Sequence, residues 1–112
     1  MEFFRRILYN LGMKDHVFTQ KQIVQYLSPV FDKYNIKEAV LFGSYGKDTA
    51  NDKSDVDIMV DSGLRGLTFV AFLEDVKEAL GQKEVDLFDV KHIIPDSPID
   101  HEIRKTGVKI YG

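Results

Sequence analysis

The chain has 112 residues, a hydrophobic fraction of 44%, no cysteine and a formal net charge of −3. That length suits one domain with one core and is too short for two, and the lack of thiols excludes a disulfide framework or a thiolate metal centre. The acidic balance weighs against nucleic-acid binding over an extended surface, which needs basic patches, and no apolar run approaches the roughly 18 residues of a membrane span.

Residues 1–12 carry Phe3, Phe4, Ile7 and Leu8, but Arg5 and Arg6 interrupt them and no small-residue cleavage site follows. This argues against a signal peptide. Residues 1–16 are expected to form an N-terminal extension or a helix, with Met13 an alternative start. Residues 17–112 are expected to form one soluble, cytoplasmic domain. Residues 19–34 then predict an amphipathic helix. Thr19 can cap it, with Gln22 completing a capping box, and Ile23, Tyr26, Leu27, Val30, Phe31 and Tyr34 follow the spacing of one buried face. Pro29 threatens a kink, and Asn35 suits the helix end.

Residues 39–42 are a short apolar run leading into Gly43, as for a buried strand, and residues 44–54 are polar and turn-rich. Residues 55–61 alternate, with Val56, Ile58 and Val60 on one face and Asp55, Asp57 and Asp61 on the other. Residues 67–80 return to a helical period through Phe69, Val70, Leu73, Val76 and Leu80, and Gly81 ends it. Residues 85–90 predict a third strand, 99–106 a short helix and 108–111 an edge strand. Strands and helices mix, so the class is α/β or α+β, with a sheet of three to four strands flanked by helices.

Three features carry chemistry. Asp55 and Asp57 are alternate residues of one strand and so lie side by side, roughly 6.5–7 Å apart. Two like charges held so close repel unless a cation joins them, and magnesium, held by one or two carboxylates plus phosphates, fits that need. The alternative is a pair of solvated aspartates. Gly43-Ser44 follows a buried strand, where glycine admits a ligand close to the backbone and serine offers a hydroxyl to phosphate. An ordinary strand-ending turn would look the same, and the spacing is not that of a P-loop. Asp86 interrupts the apolar run 85–88, where a carboxylate needs an ion partner or a metal. It can reach the same site if the two strands are neighbours. Asp89 is an odd number of positions away and faces the other side. His16, His92 and His101 have no metal-ligand spacing.

Gly43-Ser44-Tyr45-Gly46-Lys47-Asp48, then Ser54-Asp55-Val56-Asp57, then Asp86 resembles the nucleotidyltransferase superfamily that includes DNA polymerase β, and within it the minimal nucleotidyltransferases. The resemblance covers residues 17–112. It implies that AMP moves from ATP to an acceptor hydroxyl, with Asp55, Asp57 and Asp86 catalytic and holding magnesium, two ions during turnover. It also implies that Gly43, Ser44 and Lys47 bind the nucleotide. Lys47 replaces the family's usual Arg, and Asp48 stands where Gly is common, adding a negative charge near the nucleotide. Arg65 is a candidate contact for a phosphate or a partner, or is simply solvated, and Tyr45 a candidate contact for nucleotide, acceptor or neither.

Many minimal nucleotidyltransferases are antitoxins paired with a HEPN-domain toxin. The resemblance therefore implies a HEPN partner, adenylylated on a tyrosine. The alternatives are a non-catalytic nucleotide-binding module that neutralises a HEPN partner sterically, an enzyme acting on a small molecule, or a plain α/β domain. Homo-oligomerisation stays open.

Overall fold

The computed structural model describes residues 16–112, so the expectation for residues 1–16 lies almost wholly outside the described residues. Helix α1 (Gln20–Lys33) starts where the capping box places it. The Thr19 hydroxyl accepts from the Gln22 amide at 3.0 Å, and the Gln22 side chain accepts from the Thr19 amide at 2.9 Å. Pro29 does not end the helix. It sits on the exposed side, where water can satisfy the carbonyl that loses its donor. Asn35 takes a left-handed backbone (φ 54) just past the C-terminus, a conformation asparagine tolerates.

Strand β1 (Glu38–Phe42) runs into a four-residue helical turn, α2 (Gly43–Gly46). Strand β2 (Val56–Asp61), helix α3 (Gly66–Ala79) and strand β3 (Val85–Asp89) follow. A 3-10 turn (Val90–His92), helix α4 (Pro98–Thr106) and strand β4 (Val108–Tyr111) complete the chain. The sheet order is β3-β2-β1-β4. β1 is antiparallel to β2 and to β4, whereas β2 and β3 are parallel, with α3 as their crossover.

The α1 and α3 faces fill the core against one side of the sheet. Ile23, Leu27 and Phe31 join Phe72 and Val76 over Ala39, Leu41, Val56, Ile58 and Val60, all buried. Each of these side chains larger than alanine contributes about 1.5–3 kcal/mol by leaving water. Asp75 ties the two helices, accepting from Lys33 Nζ at 2.8 Å and from the Tyr34 hydroxyl at 2.7 Å. The α3 face matches the predicted one at Phe69, Leu73, Val76 and Leu80, which are buried or packed against the core, but not at Val70. Phe72, Val76 and Ala79 are buried, whereas Val70 is 51% exposed and Leu67 87%. The stretch 67–73 is almost continuously apolar, so its period could not tell that Phe72 rather than Val70 turned inward.

Helix α3 ends in a paired hydrogen-bond motif. The Gln82 amide donates to the Lys77 carbonyl at 2.8 Å and the Gly81 amide to Glu78 at 3.1 Å, with both Gly81 and Gln82 at φ 67. The second face of the sheet is only partly covered, by α4 near β1 and α2. Its half-open part holds the candidate site.

Candidate active site

The strand register assembles the acidic residues. Phe42 pairs with Asp57 across β1–β2, and Asp57 pairs with Asp86 across β2–β3. Parallel neighbours in register point their side chains to the same side. The two carboxylates therefore stand next to each other on the open face, flanked by the Phe42 and Phe88 rings, 5.9 Å apart. Asp55 lies one residue ahead of β2 and is exposed.

Asp57 is half-buried, and its pKa is pushed up to about 6. Burial is the largest cause, followed by the Asp86 charge, a hydrogen bond between the two carboxyls, and the charges of Asp55 and Glu102. The two negative charges are thus crowded together, and a cation between them would relieve the repulsion. Asp86 itself is exposed. Its strand is apolar around it, but the solvent-facing side of β3 carries it, which corrects the expectation of a carboxylate inside the core. Asp89 is the buried one, 3% exposed on the helix-covered face.

Gly43 lies directly against Asp57. Its φ is +69, and a Cβ built there would come within 2.5 Å of Asp57 Oδ2. Only glycine accepts both conditions. Ser44 is partly exposed on the first turn of α2, and Lys47, the C-cap residue, is exposed. Asp48 follows with φ 61, a left-handed backbone that explains why glycine suits this position.

Two residues that the sequence gave no reason to single out hold this turn. The Thr106 hydroxyl accepts from the Gly43 amide at 2.8 Å. The Gln20 side-chain amide donates to the Tyr45 carbonyl at 2.9 Å and to the Gly46 carbonyl at 3.1 Å. Both partnerships span long stretches of chain, so no local pattern announces them.

Other candidates fall elsewhere. Tyr45 is 2% exposed, with the Lys83 ammonium 5.8 Å from its ring centre. Burial raises its pKa, and it points into the core rather than toward a ligand. Arg65 lines a separate cavity with Leu64, Phe69, Asp89, Lys91 and His92.

The donor set suits magnesium, which takes hard oxygen ligands. Among the described residues no three acidic or histidine side chains come together closely enough to hold a metal ion by themselves. A pair of carboxylates left to be completed by a ligand's phosphates is the arrangement magnesium commonly uses. The raised pKa of Asp57 marks where positive charge is wanted.

A mixed sheet carrying acidic residues on adjacent strands beside a Gly-Ser turn defines a nucleotidyltransferase. The family described as "Polymerase beta, Nucleotidyltransferase" matches residues 21–112, and the chain belongs to it. Two relatives from Methanocaldococcus jannaschii bear the name of candidate protein adenylyltransferases. MJ0435 is 34% identical over 76 residues, 66% of this chain and 81% of its own length. MJ1379 is 36% identical over 66 residues, 55% of this chain and 65% of its own. Among solved structures, a toxin–antitoxin complex with AMP-PNP is similar, with a TM-score of 0.62 and 24% identity over 85% of this chain and 74% of that one. The toxin–antitoxin MntA–HepT gives a TM-score of 0.54 and 21% identity, covering 83% and 69%. At these identities the solved structures establish the shared fold. No helix among the described residues is long and apolar enough to cross a membrane.

Proposed function

We propose that this nucleotidyltransferase moves AMP from ATP to a tyrosine hydroxyl of a HEPN-domain toxin and so acts as its antitoxin. The observation that carries the catalytic part is the Asp57–Asp86 pair in register beside Gly43, with Asp57 raised to about 6. Names borne by relatives as protein adenylyltransferases, and the fold shared with toxin–antitoxin complexes, support the choice of acceptor.

In this reading Asp55, Asp57 and Asp86 hold magnesium, two ions during turnover, which neutralises the triphosphate and favours attack by the acceptor oxygen. Ser44 and the neighbouring backbone hold the β and γ phosphates, and Lys47 adds a point charge. The acceptor oxygen forms a bond to the α phosphorus as the α–β anhydride bond breaks. Asp86, exposed and beside Asp57, takes the hydroxyl proton, and pyrophosphate leaves. The protein's contribution is position and charge.

The test is to incubate the protein with a HEPN-domain protein, magnesium and ATP labelled in its α phosphate. Label on a toxin tyrosine, abolished by Asp55→Asn/Asp57→Asn, is the expected result. Neutralisation of the toxin that survives the double substitution would instead identify a steric binding module. Label on small hydroxyl compounds alone would identify a small-molecule enzyme.

A further inference from the structure

We infer that Thr106 is a positioning residue for nucleotide transfer, acting through the Gly43 amide on the turn that takes the phosphates. This rests on the nucleotidyltransferase reading above. Helix α2 has four residues, far too few to be stable alone, so its geometry must be imposed from outside. Gln20 contributes through the Tyr45 and Gly46 carbonyls, and Thr106 touches the turn at both ends.

At the first end, the Thr106 hydroxyl accepts from the Gly43 amide at 2.8 Å and donates its own proton to the Glu102 carbonyl at 2.7 Å. A hydroxyl has one proton and spare lone pairs. Spending the proton within α4 leaves it purely an acceptor toward Gly43, which fixes the direction of both bonds. Thr106 is 7% exposed, so water competes poorly for the Gly43 amide. At the other end, the Thr106 carbonyl lies where a side chain on Gly46 would project, with the Leu41 carbonyl 3.0 Å from the same point. The turn is therefore wedged between Thr106 and β1.

What Thr106 fixes is more than the turn. Asp57 Oδ2 packs against the bare face of Gly43, so a shift of Gly43 moves the carboxylate as well as the phosphate-binding backbone. The Gly43 contact shared by both halves of the proposed site is held by one hydroxyl, 63 positions further along the chain than the amide it accepts from. Misplacement by about 1 Å is enough to cost about a hundredfold in rate.

The experiment compares Thr106→Val, which keeps the shape and loses the acceptor, with Thr106→Ser, which keeps the acceptor. Hydrogen exchange of the Gly43 amide, magnesium–ATP affinity, and kcat and KM for transfer are measured for each. In Thr106→Val, Gly43 exchange should speed up at least about tenfold and kcat should fall about tenfold to a hundredfold, with Thr106→Ser close to wild type in both. Wild-type kcat in Thr106→Val, or equal damage in Thr106→Ser, overturns the assignment. If the wild type transfers no nucleotide at all, the proposed function fails. The positioning role is then decided by Gly43 exchange and ATP affinity, and values unchanged in Thr106→Val overturn it.

Discussion

The Asp57 carboxylate rests on the bare Cα of Gly43, so close that any side chain at position 43 would meet Oδ2 at 2.5 Å. Strand β2 supplies the charge and the end of β1 supplies the gap that receives it. Gly43→Ala should therefore fail twice. A left-handed backbone at φ +69 costs a residue with a Cβ about 1–2 kcal/mol, and the new methyl must push Asp57 aside. Chemical denaturation should show a loss of at least that size, and calorimetry should show magnesium–ATP binding lost. A variant as stable as wild type that still binds would refute the contact.

The raised pKa of Asp57 gives the protein an unusual pH dependence. With a folded pKa of about 6 against an ordinary 3.8, the folded state holds more protons than the unfolded one between those values. Metal-free stability should thus fall as pH rises from about 4 to about 6 and then level off. Asp57→Asn should flatten that fall. Magnesium binding requires the proton to leave, so affinity should drop as pH goes below about 6, by up to about tenfold per unit. Titration of the Asp57 side chain by NMR, with and without Asp86→Asn, checks the cause, because removing the Asp86 charge should lower the midpoint.

Much of this was legible beforehand because it is local or strictly periodic. The Thr19–Gln22 capping box placed α1, and the alternation of 55–61 separated the core valines from the aspartates. The odd spacing of Asp86 and Asp89 put them on opposite faces, as found. What escaped was set by tertiary contact. Tyr45 sits in the Gly-Ser turn yet turns into the core. Val70 belongs to a stretch apolar on every side. Gln20 and Thr106 act across 25 and 63 positions, and a threonine at a helix end carries no mark of the amide it will hold.

Asp48 is a test of how far the turn is optimised. It is exposed, with φ 61, a region where glycine pays no Cβ penalty. Asp48→Gly should raise stability by up to about 1 kcal/mol, less than for most residues because aspartate tolerates this conformation. It also removes a negative charge close to the proposed phosphate site, so ATP affinity should rise severalfold at low salt and less at high salt. Thermal melts and calorimetry at two ionic strengths separate the two effects. A drop in either quantity would mean that the Asp48 side chain makes a contribution of its own.

Asp89 should show the opposite pH behaviour to Asp57 from the other face of the same sheet. Burial alone would raise its pKa, but the Ser62 hydroxyl, the Lys91 amide and the Lys91 charge bring it below the ordinary carboxylate value. Its Oδ2 accepts from Ser62, whose oxygen in turn accepts from the Leu64 amide at 3.0 Å, while Lys91 Nζ donates to the Leu64 carbonyl at 3.0 Å. The carboxylate therefore anchors the loop between β2 and α3. Because the folded pKa is lowered, this stability is present above the unfolded pKa and is lost as pH falls through the folded one. Asp89→Asn should cost about 1.5–3 kcal/mol at neutral pH, the range for hydrogen bonds to a charged group, and should remove part of the acid-side loss. Magnesium–ATP affinity should be nearly unchanged, since the carboxylate faces away from Asp57. Denaturation curves from pH 3 to 8, on the variant and on Asp57→Asn, should bend in opposite directions, and parallel curves would show that the two aspartates are not electrostatically distinct.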